Sequence, residues 1–274
     1  MIRGTICGIL IEENRKEGQY MIYILGSISA GKTTLTKMLA EELKVPYYLE
    51  DIDNGLVSNM LQTFYHAGAD SRKQVSAMLQ VAFLTVRYKQ LKKAVTQHNA
   101  LLDSNLLSDY LMASNLYRRG EMDESSYNVY LALNNEMQSN VNGTPDTAYP
   151  DLIIYLDIDP QHEIEEIQKR GRGMEDISKD SGLVDYYNSV NKTYKDWYQG
   201  HPQAQVIRID RDKYDFVNSE ADRNTVFDMI EDKMGQVGLL EPKEVSSLKN
   251  AHKVVEGQAE LFLGGIDLDT IGKM

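Results

Sequence analysis

Cysteine is almost missing from this chain: Cys7 stands alone among 274 residues. That excludes an intramolecular disulfide and suits a reducing compartment such as the cytoplasm. No apolar run approaches the ~20 residues that a membrane-spanning helix needs. The mildly apolar stretch Ile2–Ile11 is broken by Arg3, Gly4 and Gly8 and does not read as a signal peptide. Basic residues are also scarce, 29 against 41 acidic ones, giving a net charge of −12 and a pI near 4.9. Such a surface argues against a nucleic-acid partner, although a few local cations suffice to hold a mononucleotide. The histidines, His66, His98, His162, His201 and His252, form no spaced cluster, so a histidine metal centre is not expected.

What the chain does have begins at Gly26. Residues 26–33 read Gly-Ser-Ile-Ser-Ala-Gly-Lys-Thr, matching the phosphate-binding pattern G-x-x-x-x-G-K-S/T at every fixed position. The apolar run Tyr20–Leu25 leads into it, and Leu35, Leu39 and Leu43 follow at helical spacing. Glycines let successive backbone N–H groups turn towards a polyphosphate at a helix N-terminus. Gly26, Ser27, Ser29, Ala30, Gly31, Lys32, Thr33 and Thr34 are the expected contacts to ATP or GTP. Lys32 reaches the outer phosphates and Thr33 takes a place on Mg²⁺.

Five segments have the character of buried parallel strands: Tyr20–Leu25, Val45–Leu49, Ala100–Leu102, Leu152–Leu156 and Val206–Ile209. Helical patterns separate them, which predicts an α/β fold with a five-stranded parallel sheet flanked by helices. A long helix is expected within 71–99, a helix pair over 105–120 and 124–141, and a breaker at Asn142-Gly143-Thr144-Pro145. The core spans 21–236, with 1–20 and 237–274 read as appendages. Each strand ends in Gly26, Glu50, Asp103, Asp157 or Asp210, placing the candidate chemistry along one sheet edge.

Glu50 could take a proton from a hydroxyl attacking a γ-phosphate, or be a solvated strand-end acid. Asp103 could hold a water on Mg²⁺ or cap the next helix. Gln80 and Arg87 share a helix face, and Asp109 follows one helix later; together they could read a base edge or be exposed polar groups. Lys169-Arg170-Gly171-Arg172 reads as a cationic lid able to close over phosphates, in preference to a basic helix end. The aromatic set Tyr186, Tyr187, Tyr194, Trp197 and Tyr198 reads as packing alone.

Over 21–234 the chain resembles the deoxynucleoside kinase family, in its deoxyadenosine, deoxyguanosine and deoxycytidine kinase branch. The likeness is carried by the loop motif, Tyr48-Leu-Glu-Asp-Ile-Asp-Asn54, the run Leu79-Gln-Val-Ala-Phe-Leu-Thr-Val-Arg87, Ser108-Asp-Tyr-Leu-Met112, Lys169-Arg-Gly-Arg-Gly-Met-Glu175 and Asp212-Lys-Tyr-Asp-Phe216. The resemblance implies ATP- and Mg²⁺-dependent phosphorylation of a deoxynucleoside 5′-hydroxyl, purines slightly favoured, for nucleotide salvage. It makes Glu50 the general base and pairs Tyr65 with Glu175 on the sugar 3′-hydroxyl. Gln80, Arg87 and Asp109 become the base readers, and Arg170 and Arg172 the lid cations. It also implies a homodimer, or a heterodimer with a related kinase subunit, built on helices near 75–99 and 105–117. Two positions depart from the family pattern: its acid-Arg-Ser motif reads Asp103-Ser104-Asn105, and Glu166 replaces a lid arginine. A deoxynucleoside monophosphate kinase and a non-catalytic nucleotide-binding subunit are the alternative readings.

Overall fold

The computed structural model describes residues 19–252, apart from 142–143, 146–148, 179–181 and 201–204. The proposed appendage residues 1–18 and 253–274 lie outside the described residues. The chain divides into two compact units, one ending at Lys213 and the other beginning at Tyr214.

The first unit is built on a parallel sheet of β1 (Tyr20–Gly26), β2 (Tyr47–Tyr48), β3 (Asn99–Leu102), β6 (Leu152–Asp157) and β7 (Val206–Asp210). Its spatial order is β2-β3-β1-β6-β7, and every neighbouring pair is parallel. A separate two-stranded antiparallel pair consists of β4 (Asn140–Val141) and β5 (Thr144–Pro145), and residues 142–143 of the expected breaker lie outside the described residues. All seven β1 residues are buried, and Ile22, Ile24 and Leu25 are fully so. Burying each such side chain contributes about 1.5–3 kcal/mol.

Helices α1 (Lys32–Leu43), α2 (Gly55–His66), α3 (Ala69–Ala94), α4 (Leu106–Arg118), α5 (Glu124–Ser139), α6 (Pro160–Arg170) and α7 (Gly182–Gly200) connect the strands. Local chemistry sets their ends. Asn54 and Asn105 accept from Leu56 N–H and Ser108 N–H at the starts of α2 and α4. Asp159 caps α6 ahead of Pro160, whose missing N–H costs nothing in the first turn, and Gly171 ends that helix at φ 68°. The crossover after β2 holds the two helices α2 and α3, and brings α3 back against β2.

The second unit contains α8 (Glu220–Gln236), capped by Ser219, with Val226, Phe227, Ile230 and Met234 buried along one side. Residues 242–252 are also helical, and His252 Nδ1 lies 2.8 Å from Asp228. Among the described residues no helix is long and apolar enough to cross a membrane.

Candidate active site

The turn between β1 and α1 forms a cradle. A Cβ at Gly26 would meet the Leu156 carbonyl oxygen at 2.9 Å, so only glycine lets β1 run this close to β6 there. Gly31 stands at φ 93° and caps α1 without a side-chain bond, leaving the first amides of that helix for a ligand. Ser29 sits at φ 59°, strained for a residue with a Cβ, and its buried hydroxyl has no partner among the described residues. Lys32 Nζ donates to the carbonyls of Gly26 and Ser27 at 2.9 and 2.7 Å. Burial lowers its pKa from the ordinary lysine value, opposed by Glu50, Asp103 and Glu163. Arg211 Nε donates to the Ala30 carbonyl, and Glu163 accepts the Ser27 hydroxyl at 2.6 Å.

Asp103, at the end of β3, joins this cradle to the next group. One carboxylate oxygen accepts Thr33 Oγ1 and the other accepts the Glu50 backbone N–H, both at 2.7 Å. Burial raises the Asp103 pKa against the Thr33 bond. A hydroxyl beside a carboxylate is a hard-oxygen donor set of the kind Mg²⁺ takes. Gln90 Nε2 donates to the Leu49 carbonyl at 2.7 Å and so pins the residue before Glu50.

The Glu50 side chain is 37% exposed, whereas its partner Arg87 is 6% exposed. Arg87 spreads its fork over three acceptors: Glu50 Oε1 at 2.5 Å, Ser104 Oγ at 2.7 Å, and Asp109 Oδ1. Its guanidinium also lies 4.5 Å from the Phe83 ring centroid. For Glu50, burial works to raise the pKa, but Arg87 and then Lys32 outweigh it and hold the carboxyl below its ordinary value. Asp109 is fully buried, which pushes it up to about 7 despite Arg87. Gln80 lies two turns before Arg87 on α3, with its Oε1 buried and unpartnered among the described residues. Ser76, one turn earlier still, has a buried hydroxyl in the same state.

On the other side, burial raises the Tyr65 hydroxyl well above its ordinary value, with Tyr186, Tyr187 and Glu175 adding to it. Tyr187 hydrogen-bonds Tyr65 and donates to the Glu175 backbone carbonyl at 3.4 Å. The Glu175 side chain accepts Arg170 at 2.6 Å and lies 3.6 Å from Arg172. The charge of Arg172 is felt at Glu50 and that of Arg170 at Lys32, so this segment faces the cradle. Tyr187 corrects the purely packing role expected of the aromatic set. Gln90, Glu163 and Tyr187 contact Leu49, Ser27 and Tyr65, contacts that their spacing does not signal, since it reads as ordinary helix surface or core.

A glycine-turned loop at a helix N-terminus, a carboxylate held below its ordinary pKa beside it, and a cluster of buried polar groups behind that carboxylate have the make-up of a phosphotransferase of the P-loop class. The deoxynucleoside kinase family model matches residues 22–234, and the chain belongs to that family. It is 36% identical to the deoxyguanosine kinase of Lactobacillus acidophilus, over 80% of this chain and 93% of that one. It is 30% identical to the deoxyadenosine kinase of the same organism, over 80% and 99%. Among solved structures, the deoxyadenosine kinase from M. mycoides with dCMP and a flexible dCDP bound is similar at 26% identity. That likeness has a TM-score of 0.60 and covers 79% of this chain and 99% of the other.

Proposed function

We propose that this kinase transfers the γ-phosphate of ATP to the 5′-hydroxyl of a deoxynucleoside, with purine nucleosides preferred. The observation that carries the reading is the double use of Asp103, which accepts Thr33 from the phosphate cradle and Glu50 from the acceptor side. It fixes the two arms of a phosphoryl transfer to one rigid strand end, where positioning dominates the chemistry. In this reading Glu50 accepts the 5′-hydroxyl proton as the oxygen attacks phosphorus, and the loop amides with Lys32 hold the phosphates. Thr33 and Asp103 would hold Mg²⁺, which supplies neutralisation of phosphate charge. Gln80, Arg87 and Asp109 face the base, Tyr65 and Glu175 the sugar 3′-hydroxyl, and Arg170 and Arg172 close over the transferring group. The identity to deoxyguanosine and deoxyadenosine kinases supports the purine preference.

Acceptor monophosphates fit less well. A second phosphate needs a cation beside Glu50, and Arg87 already serves Glu50, Ser104 and Asp109. A non-catalytic subunit would have no use for a carboxylate kept ionised next to the cradle. We further propose a dimer, supported by exposed Met78 on α3 and by Tyr110 and Tyr117 on α4. A cytoplasmic location is supported by the single cysteine. The reading is tested by incubating the protein with ATP, Mg²⁺ and each deoxynucleoside or its monophosphate. 5′-Monophosphate is expected from deoxyguanosine or deoxyadenosine; turnover of monophosphates alone would overturn the reading.

A further inference from the structure

Glu163 is 1% exposed and lies in the first turn of α6, the helix whose far end carries Arg170. An acid in a first helical turn normally faces solvent and complements the helix dipole. This one points inward. Its Oε2 accepts the Ser27 hydroxyl of the phosphate loop at 2.6 Å and Asn191 Nδ2 of α7 at 2.5 Å. Asn191 is itself anchored on the Ile158 carbonyl at 3.0 Å. Oε1 makes no hydrogen bond of normal geometry among the described residues. A buried carboxylate thus sits one hydrogen bond away from the loop that must receive a polyanion.

We propose that Glu163 is a positioning residue that ties the phosphate loop to the lid helix, and that it takes up a proton as the loop fills with phosphate. The inference rests on the reading above that the loop holds a nucleoside triphosphate. The groups facing Glu163 are few: Ser27, the Ile28 N–H and Lys32 from the loop and α1, and Tyr187 and Asn191 from α7. Among these groups of the described residues, Lys32 brings the positive charge. Burial pushes the Glu163 carboxyl up to about 7, against the bonds from Ser27 and Asn191 and against Lys32. Lys32 Nζ rests on the Ser27 carbonyl, and its charge favours the ionised carboxylate. Phosphate engages that ammonium and adds negative charge, and both effects disfavour an ionised Glu163. The proton comes from bulk water and binds the carboxylate, converting it from acceptor to donor towards Ser27 Oγ. The Ser27 hydroxyl, keeping its hydrogen, is then free to donate a hydrogen bond to a phosphate oxygen.

Uptake of a proton on binding means that affinity weakens as pH rises through neutrality. The test is calorimetric titration with a non-hydrolysable ATP analogue and Mg²⁺, in buffers of different ionisation enthalpy, on wild type and Glu163→Gln. Wild type should take up more protons per nucleotide than the variant at about pH 7.5. Its Kd should weaken by about tenfold more than that of the variant between about pH 6 and pH 8.5, the equivalent of one pKa unit. A merely structural glutamate predicts the same proton count in both proteins, and that result overturns the proposal. If Glu163→Gln does not fold, difference infrared spectroscopy of wild type on release of caged ATP decides. A new protonated-carboxyl band supports the proposal and its absence overturns it. A wild type that binds no nucleotide overturns this inference together with the function it rests on.

Discussion

Arg87 Nη2 lies 2.5 Å from Glu50 Oε1 at the end of β2, while the rest of the same fork serves Ser104 and Asp109. A guanidinium placed behind a partly exposed carboxylate does two things. It keeps the carboxylate ionised, and it fixes which oxygen faces the crevice.

The first consequence is a pH dependence. A depressed pKa means that Glu50 is ionised at neutral pH and protonates only as pH falls below the ordinary carboxylate value of 4.5. The acid limb of kcat/KM should therefore lie below that value in wild type. Arg87→Met removes the main opposing charge, and the limb should move up by about 1–3 pH units. A pH–rate profile measures this, and an unmoved limb would detach Arg87 from Glu50.

Ser104 is 2% exposed and accepts Arg87 Nε. An arginine here would force a second guanidinium into the space beside the first. Ser104→Arg is expected to destabilise the fold by about 1–3 kcal/mol through overpacking and to lower turnover. Denaturant melts with parallel kinetics would show it; full stability and turnover would contradict the packing described for Arg87.

Gln80 keeps a buried Oε1 that is unpartnered among the described residues, on the same helix face as Arg87. With a base bound against it this atom gains a donor, so Gln80→Ala should cost about 1–3 kcal/mol in kcat/KM for the preferred nucleoside. The KM for ATP should stay nearly constant. A change confined to the ATP constant would place Gln80 outside the acceptor pocket.

The lid arginines should separate activity from stability. Arg170 and Arg172 are 30% and 39% exposed, and their ion pairs with Glu175 are of the partly solvated kind worth about 0–1 kcal/mol. Replacing either by Ala should leave Tm nearly unchanged. Loss of an arginine that stabilises the transferring phosphate costs on the order of 10³-fold in kcat. A loss of Tm with kcat intact would reverse the assignment.

The sheet and the loop were legible in the sequence because backbone geometry dictates residue type there. Gly26 and Gly31 cannot carry a side chain, and buried parallel strands read as apolar runs. Boundaries were less so. The strand expected over Val45–Leu49 is only Tyr47–Tyr48, since Pro46 brings no N–H and the Leu49 carbonyl is taken by Gln90. The helix expected to reach Asn99 ends at Ala94, and Asn99 opens β3. Within the site, Glu50, Arg87, Asp103 and Asp109 could be singled out, but not their mutual contacts. Read in sequence, Ser104 is a lost charge; in space it is the acceptor that lets Arg87 reach Glu50. Glu163 was invisible because its partners lie 136 residues earlier and 28 residues later. No local pattern separates a buried acid from a solvated one.

The central claim is that Glu50 is the base for phosphoryl transfer to a deoxynucleoside. Steady-state turnover of deoxyguanosine by wild type and Glu50→Gln, with the Kd of an ATP analogue measured on both, tests it most directly. Turnover should fall by about 10²–10⁴-fold, as for loss of a general base, while nucleotide affinity changes little. Equal turnover in the two proteins would contradict the account.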